Sequence, residues 1–231
     1  MKFGFHNAPT LTDRVALGRS SKWPPGGAVI PFGADWEERL FFETLSRETK
    51  GALSRKLNDG QLVKGPYYLY RDEQGSVVSA VLRLDGADGK KEVLPLRAST
   101  VYANNPDMIM KAIEPPRPLY NLHLLAAAPL LPVLLVEGEK AADAAGRLFP
   151  QLVATTFSGG APGVPAADFR ALTGRDVIVW PDHDEIGLDA AEKATLLLQD
   201  VGAASVRVVQ VPDWFPPKWD VADTTPEPGR G

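Results

Sequence analysis

The amino-acid sequence predicts an α/β protein in two parts: a parallel sheet of about four strands flanked by helices, preceded by a smaller α+β subdomain with an antiparallel meander. Two observations predict this architecture. From residue 119 onward, short and almost wholly apolar segments alternate with segments of helical length, as expected when both faces of a sheet are covered by helices. Before residue 119, three segments rich in β-branched and aromatic residues are separated by turns that contain glycine or aspartate.

Composition places the chain among globular proteins. Its 231 residues, 44% of them hydrophobic, are enough for one large domain or two small ones. It contains no cysteine, which excludes disulfides and thiolate metal sites and is compatible with a cytoplasmic location. The first residues lack the apolar core of a signal peptide, and the longest uncharged apolar stretch, residues 124–136, is too short to span a bilayer. We therefore expect no membrane segment.

Charge is distributed unevenly along a chain whose formal net charge is −4. Residues 1–118 carry 17 Lys and Arg against 14 Asp and Glu, whereas residues 119–231 carry 8 against 15. A basic front half and an acidic back half suit a protein that holds a polyanion with one part and metal ions with the other. Ordinary scatter of surface charge explains the same numbers equally well.

The front half begins with a segment rich in proline and glycine, residues 1–34, which predicts an N-terminal arm or loop. The small subdomain is expected to occupy residues 35–118 and to open with a helix from residue 36 to about residue 57. Asp35 is the predicted N-cap of this helix, because two glutamates occupy the first turn that follows it.

A β-rich stretch follows the helix. Strict alternation in its central strand puts Ala80 and Leu82 on a more apolar face and Arg83 on the opposite face. Residues 107–113 are expected to form a short helix or strand, followed by a proline-rich connector. The three strands of the meander are predicted at residues 67–71, 77–84 and 92–96.

The larger domain, residues 119–223, alternates strand and helix, and residues 224–231 are predicted to be a tail or linker. Each strand is short and nearly all apolar, which is typical of a parallel sheet with two covered faces. The predicted strands are 133–136, 153–157, 176–180 and 205–211, and the predicted helices are 139–149, 166–172 and 187–199.

Three acidic residues stand at the ends of these strands. Glu137 follows the first strand, and Asp182 and Asp184 follow the third. Right-handed crossovers place ligands outside the carboxyl ends of parallel strands, where these side chains are expected to lie. Carboxylate oxygens are the ligands that Mg²⁺ prefers, and Gly138 with the helix N-terminus after it lets a phosphate or metal approach the backbone closely. The pattern predicts a divalent-metal site, provided that the two strands are neighbours.

These motifs resemble those of the TOPRIM domain, which is shared by bacterial and phage primases, type IA and II topoisomerases and several nucleases. The resemblance is greatest to phage and plasmid primases or primase-helicases and covers roughly residues 119–223; residues 36–118 resemble the smaller subdomain that precedes TOPRIM in primases. It implies a TOPRIM-like fold in which the strands that carry Glu137 and Asp182 lie side by side. The segments that carry it are VLLVEGEKAADAA, TTFSGGAPGV, VWPDHDEIGLDAAEKA and PPKWDVAD.

The resemblance implies a catalytic and metal-binding role for Glu137, Asp182 and Asp184, with Mg²⁺ or Mn²⁺ as the cofactor. Asp220 matches a later acidic position of the family and is expected to add a metal contact. In a primase, two ions would bind the triphosphate of the incoming nucleotide and the 3′-hydroxyl of the primer, and would stabilise the attacking and leaving oxygens. The candidates for binding nucleotide or DNA are Lys111, Arg83, Lys140 and Lys218.

The implied function is that of a DNA primase catalytic core, a metal-dependent nucleotidyltransferase that makes short primers on single-stranded DNA. Its partners would be that template, nucleoside triphosphates, and a replicative helicase or helicase domain. Two alternatives stay open: a TOPRIM nuclease that uses the same acids to activate water, and a non-catalytic replication module that binds DNA or a helicase. The chain has no counterpart of the family's zinc-binding template module, which keeps the last alternative open.

Other residues near these motifs have a plain structural interpretation. His183, between the two aspartates, is more readily explained as an exposed residue than as a catalytic one. Asp143, one turn into the helix after Glu137, is expected to orient Lys140 or a water molecule. Residues 158–163, SGGAPG, lack the Gly-Lys-Ser/Thr of a nucleotide-hydrolase loop and are predicted to form a tight loop near the site. Core or loop packing is the preferred explanation for three tryptophans that could also stack on bases, Trp180, Trp214 and Trp219.

Overall fold

A computed structural model of the chain describes residues 4–7, 45–58, 62–86, 89, 91–98 and 108–225. The described residues fall into two compact units, each with its own β-sheet. Gly4–Asn7 and residues 115–225 belong to the larger unit, and the described residues from 45 to 114 form the smaller unit.

Among the described residues, the smaller unit has one helix followed by strands, whereas strands and helices alternate in the larger unit. In chain order they are β1 (Gly4–Asn7), α1 (Arg47–Asn58), β2 (Leu62–Arg71), β3 (Val77–Gly86), β4 (Lys91–Ala98), β5 (Met108–Ile109), α2 (Leu122–Ala127), β6 (Val133–Val136), α3 (Glu139–Leu148), β7 (Val153–Thr155), 3-10 helices Ala161–Ala166 and Phe169–Leu172, β8 (Asp176–Trp180), α4 (Glu185–Asp200) and β9 (Ser205–Gln210).

The smaller unit contains an antiparallel sheet in the order β2-β3-β4-β5. The predicted three-stranded meander is confirmed, and β5 adds a fourth strand where a short helix or strand was expected. Its core includes Ala80, Leu82 and Leu84 from β3, whereas Arg83 lies half-buried on the other face, as the alternation predicts. The Nε atom of Arg83 lies 2.5 Å from Oδ1 of Asp85 on the same strand.

Helix α1 begins at Arg47, so the prediction of a helix that runs unbroken from residue 36 is wrong at Leu45 and Ser46. Leu45 forms an isolated β-bridge with Met108, and the Ser46 hydroxyl accepts a hydrogen bond from the Thr49 N–H at 3.1 Å. That bond is a normal N-cap interaction, which explains why the helix starts here. The proposed N-cap at residue 35 and residues 36–44 lie outside the described residues.

The larger unit contains a five-stranded sheet in the order β1-β9-β8-β6-β7. Strands β7, β6, β8 and β9 are parallel, which confirms the predicted parallel sheet of four strands. Strand β1 pairs antiparallel with β9, whereas this segment was predicted to belong to an arm or loop. Sequence pattern missed it because pairing at a sheet edge rests on backbone hydrogen bonds that no side-chain periodicity reveals.

The helices of the larger unit cover the sheet much as predicted, with one exception. Residues 166–172 were expected to form a single helix, but one 3-10 helix, Ala161–Ala166, ends there and a second, Phe169–Leu172, follows it. Pro162 and Pro165 lie in the first of these 3-10 helices, in the segment predicted to be a loop, and neither has an N–H to donate to an α-helical ladder. Among the described residues, no helix is long and apolar enough to cross a bilayer.

A buried arginine closes the end of helix α2, an element that was not predicted. The guanidinium of Arg175 donates to the carbonyls of Leu125 at 3.1 Å, Ala128 at 2.9 Å and Leu131 at 2.6 Å. Leu125 and Ala128 lie at the C-terminal end of α2, where backbone carbonyls have no partner within the helix, and Leu131 lies in the loop that follows. Arg175 therefore ties the start of β8 to the segment that leads into β6.

Candidate functional site

The neighbouring strands β6 and β8 bring the first two acids to one edge of the sheet. They pair in parallel register, with Val136 opposite Trp180 at their carboxyl ends. Glu137 comes one residue after this pair and Asp182 comes two residues after it. Neighbouring strands lie about 4.8 Å apart. The adjacency that the sequence resemblance implied is therefore present, although β7 intervenes in the chain.

Open space lies next to Glu137. Gly138 is the N-cap of α3 and has an extended backbone, and a Cβ atom at this position would meet no atom of the described residues within 4 Å. Gly160 adopts φ +60°, and a Cβ atom there would lie 4.0 Å from Glu137 Oε1. The predicted loop of residues 158–163 thus runs beside the half-buried Glu137 side chain.

The acidic loop after β8 is held by the first turn of α4. Asp184 Oδ1 accepts a hydrogen bond from the Gly187 N–H at 2.8 Å, so Asp184 is the N-cap of the helix. A Cβ atom on Gly187 would lie 2.5 Å from the Asp182 carbonyl oxygen, which requires glycine at this close approach. Asp184 therefore has a structural role in addition to any role in binding a cation.

The ends of β6 and β8 lie side by side, but the described side chains near them do not form a complete set of metal ligands. Within the described ranges, no three His, Asp or Glu side chains lie close enough together to hold a metal ion. One oxygen of Asp184 is already engaged in the helix cap. The assignment of Glu137, Asp182 and Asp184 as metal ligands stays a prediction.

The C-terminal segment, defined as residues 212–224, lies against the acidic loop through backbone contacts. The His183 N–H donates to the Trp219 carbonyl at 3.0 Å, and the Lys218 N–H donates to the His183 carbonyl at 2.8 Å. The His183 ring atom Nδ1 also lies 3.1 Å from the Pro216 carbonyl oxygen. Sequence reasoning treated His183 as an ordinary exposed residue and missed this docking role.

Lys140, predicted to bind nucleotide or DNA, and Asp220, predicted to bind metal, contact each other. Lys140 Nζ lies 3.3 Å from Asp220 Oδ2 and 3.0 Å from Asp223 Oδ1, and Asp223 Oδ2 accepts from the Asp220 N–H at 3.1 Å. Partial burial lowers the pKa of Lys140, but the hydrogen bonds and charges of the two aspartates outweigh it and raise that pKa. Burial likewise raises the pKa of Asp223, but the Asp220 N–H and Lys140 bring it below its ordinary value.

Aromatic side chains join β8 to the C-terminal segment. The ring centroids of Trp180 and Trp219 are 6.1 Å apart, and Phe215 lies 4.6 Å from Trp219 and 4.3 Å from Trp214. Trp180 and Trp219 are buried, which agrees with core packing, whereas Trp214 is 44% exposed. This packing keeps the segment that carries Asp220 near the acidic loop.

The other two predicted nucleotide-binding residues belong to the smaller unit. Arg83 is paired with Asp85, and the exposed Lys111 has its Nζ atom 3.7 Å from Glu114 Oε1. Their role in binding nucleotide or DNA stays a prediction.

Sequence reasoning assigned no site role to Tyr120 and Arg117. The Tyr120 hydroxyl donates to Asp143 Oδ1 at 3.0 Å, and burial raises the pKa of Asp143 even though Tyr120 and Arg147 act in the opposite direction. Asp143 thus contacts Tyr120, where an interaction with Lys140 or a water had been expected.

Arg117 lies at the glycine loop, and a Cβ atom on Gly159 would be 3.5 Å from its Nη1 atom. The one signal available was the position of Arg117 in the proline-rich connector that precedes the larger domain.

No protein-family model and no curated protein sequence matches the chain. Its matches among solved structures include DNA primase catalytic domains at low sequence identity. A DNA primase domain from Pseudomonas aeruginosa matches at 19% identity and a TM-score of 0.45, over 74% of this chain and 53% of that one. The primase fragment of the bacteriophage T7 primase-helicase protein matches at 17% identity and a TM-score of 0.44, over 84% of this chain and 74% of that one. The E. coli primase catalytic core matches at 21% identity and a TM-score of 0.42, over 75% of this chain and 55% of that one. The chain spans about half the length of the Pseudomonas domain, and at these identities the likeness concerns the fold alone.

Proposed function

We propose that this chain is a metal-dependent nucleotidyltransferase, the catalytic core of a DNA primase that joins nucleotides into short primers on single-stranded DNA. The observation that carries the proposal is the parallel register of β6 and β8, which puts Glu137 and Asp182 at the carboxyl ends of adjacent strands. Active sites of open α/β sheets lie at this edge. The motif order that resembles TOPRIM primases adds the choice of reaction.

Mg²⁺ or Mn²⁺ would be held mainly by Glu137 and Asp182. Both side chains offer hard oxygen donors, and a Cβ atom on Gly138 would meet no described atom within 4 Å outside its chain neighbours, so the backbone after Glu137 is open. Mg²⁺ is commonly bound by one or two carboxylates together with substrate phosphates, so a cluster of three protein carboxylates is not needed beforehand. Asp184 could add its second oxygen, because the helix cap uses only Oδ1. The metal supplies neutralisation of the charge that develops on the phosphate oxygens.

The chain's own residues would position the substrate. Lys218 is exposed and has a left-handed backbone (φ 63°) in the segment that docks on His183, so its amine is available to a nucleotide at this edge. Lys140 holds Asp220 and Asp223 and so keeps that segment in place. In this proposal Lys140 organises the site and Lys218 contacts the phosphates of the nucleotide or DNA. A replicative helicase, which unwinds duplex DNA, is the proposed protein partner.

One observation favours a second candidate, a non-catalytic replication module that binds DNA or a helicase. Asp220 and Asp223 of the C-terminal segment are paired with Lys140, and Asp184 is a helix cap, so these three acids serve the fold. An inactive module would keep these structural contacts and lose only the metal.

The experiment that separates these candidates incubates the full chain with Mg²⁺ or Mn²⁺, single-stranded DNA and labelled nucleoside triphosphates. Short labelled oligomers that disappear in Asp182→Asn support the primase. Cleavage of the DNA without added nucleotides supports the nuclease instead. DNA binding without either product supports the non-catalytic module and contradicts the proposal.

A further inference from the structure

Arg117 has a main chain that is anchored on both sides. Its N–H donates to the Ala166 carbonyl at 2.7 Å, and its carbonyl accepts from the Asp168 N–H at 2.7 Å. The residue forms an isolated parallel bridge with Ala167 between these two bonds. Because both bonds are short, the point from which the Arg117 side chain extends is fixed relative to the 3-10 helices.

The Arg117 side chain extends to the glycine loop beside Glu137. A Cβ atom on Gly159 would lie 3.5 Å from Arg117 Nη1, and one on Gly160 would lie 4.0 Å from Glu137 Oε1. The guanidinium and the carboxylate therefore lie against two consecutive residues of one turn. Both glycines have positive φ, +98° and +60°, where other residues are strained.

The same loop closes tightly on itself. The Gly163 N–H donates to the Gly160 carbonyl at 2.7 Å, and a Cβ atom on Gly163 would lie 2.1 Å from the Ser158 carbonyl oxygen. Any side chain at residue 163 would force the loop apart. The turn thus has a fixed backbone without side chains, and the Arg117 guanidinium and the Glu137 carboxylate lie against its two glycines.

We infer that Arg117 and the Gly159–Gly160 turn bind a phosphate group next to Glu137. Arginine is suited to this task because its planar guanidinium offers several N–H donors that match the oxygens of a phosphate. The inference rests on the proposed function and adds to it a phosphate-binding residue in the connector before α2. The phosphate belongs to a nucleoside triphosphate or to the backbone of the DNA, and the two sources are separable by experiment.

The test measures binding by the full chain to three probes in Mg²⁺: ATP, inorganic triphosphate and a fluorescent single-stranded oligonucleotide. Arg117→Ala is expected to weaken binding of at least one probe by roughly 10- to 100-fold, the range for loss of a charge-assisted hydrogen bond. Arg117→Lys is expected to lose less, because it keeps the charge. Arg170→Ala is the matched control, since Arg170 is an exposed arginine of the same unit paired with Asp168, and it should bind like the unchanged chain.

The pattern of losses identifies the phosphate. Weaker ATP and triphosphate binding with unchanged oligonucleotide binding assigns a nucleotide triphosphate, and the reverse assigns the DNA backbone. Binding of all three probes by Arg117→Ala as tight as that of the unchanged chain overturns the inference. If Arg117→Ala does not fold, hydrogen exchange on the unchanged chain decides: protection of residues 115–120 and 157–163 by a probe supports the inference, and no protection overturns it.

Failure of this inference is distinguishable from failure of the proposed function. If no primers form but Arg117→Ala still loses triphosphate binding, the phosphate site stands and the polymerase activity does not. If primers form and depend on Asp182 while Arg117→Ala binds and primes normally, only the inference fails.

Discussion

Lys140 Nζ lies 3.0 Å from Asp223 Oδ1, across 83 residues of sequence. The contact joins the first turn of α3, directly after Glu137, to the C-terminal segment that docks on His183. Two motifs that are far apart in the chain are thereby held at one edge of the parallel sheet. The position of Asp220 therefore depends on an ion pair as well as on aromatic packing.

Loss of the Asp182 carboxylate is expected to abolish the proposed activity while the fold persists. Asp182→Asn should reduce primer synthesis at least about 100-fold, the upper end of losses seen when only the residues that orient a metal ligand are changed. Gel analysis of labelled products measures it. Asp189→Asn, an exposed change on α4 where the residue pairs with Lys193, is the control and should leave synthesis unchanged. Equal synthesis by Asp182→Asn and the control would remove Asp182 from the site.

Two glycines that flank the acids should differ in how much an alanine substitution destabilises the fold. Gly187→Ala should lower the free energy of unfolding by about 1–3 kcal/mol, because its Cβ atom would lie 2.5 Å from the Asp182 carbonyl oxygen. Gly138→Ala should change it by less than about 0.5 kcal/mol, because a Cβ atom there meets open space. Urea denaturation of both variants measures the difference. Equal effects would show that the close packing of α4 on Asp182 is not present in solution.

The ion pair of Lys140 should make docking of the C-terminal segment depend on pH. The pKa of Asp223 is lowered in the folded chain, so its contribution is present above the ordinary value of 3.8 and is lost as the pH falls through the folded pKa. The pKa of Lys140 is raised, so its contribution is present below 10.5 and is lost as the pH rises through the folded value. Both side chains are partly exposed, so the effect should be modest.

The measurement compares the chain with Lys140→Gln across pH by tryptophan fluorescence and chemical denaturation. The difference in stability between the two should be greatest near neutral pH and should shrink at both extremes. Lys193→Gln, which removes an exposed ion pair within α4, is the control. A difference that is independent of pH would contradict the role of the ion pair.

The N-cap of α1 should stabilise the smaller unit. Ser46→Ala should reduce its stability by about 1 kcal/mol, because the hydroxyl accepts the Thr49 N–H. Ser54→Ala, at an exposed position inside the same helix, should be neutral or slightly stabilising, because alanine has the higher helix propensity. Circular dichroism during denaturation compares them. A loss in Ser54→Ala equal to that in Ser46→Ala would contradict the cap assignment.

Local pattern predicted most elements of both sheets, and it failed where local signals were weak or in conflict. The strands β6 and β8 were predicted with the bounds they have, because four or five apolar residues bounded by turn formers and acids are unambiguous. The start of α1 was missed because helical spacing continues through Leu45, which in fact pairs with Met108. The 3-10 helices were missed because the prolines in SGGAPGVP were treated as loop residues.

The sequence by itself determined the four parallel strands of the larger unit, the two helices α3 and α4 and the acids that follow the strands, because those features depend on neighbours in the chain. Tertiary structure decided which strands lie side by side: β8 pairs with β6, although β7 comes between them in sequence. It also decided that Lys140 binds Asp220 and Asp223, and that Arg117 reaches the glycine loop beside Glu137. Such contacts arise from the packing of segments distant in sequence, and no local periodicity records them.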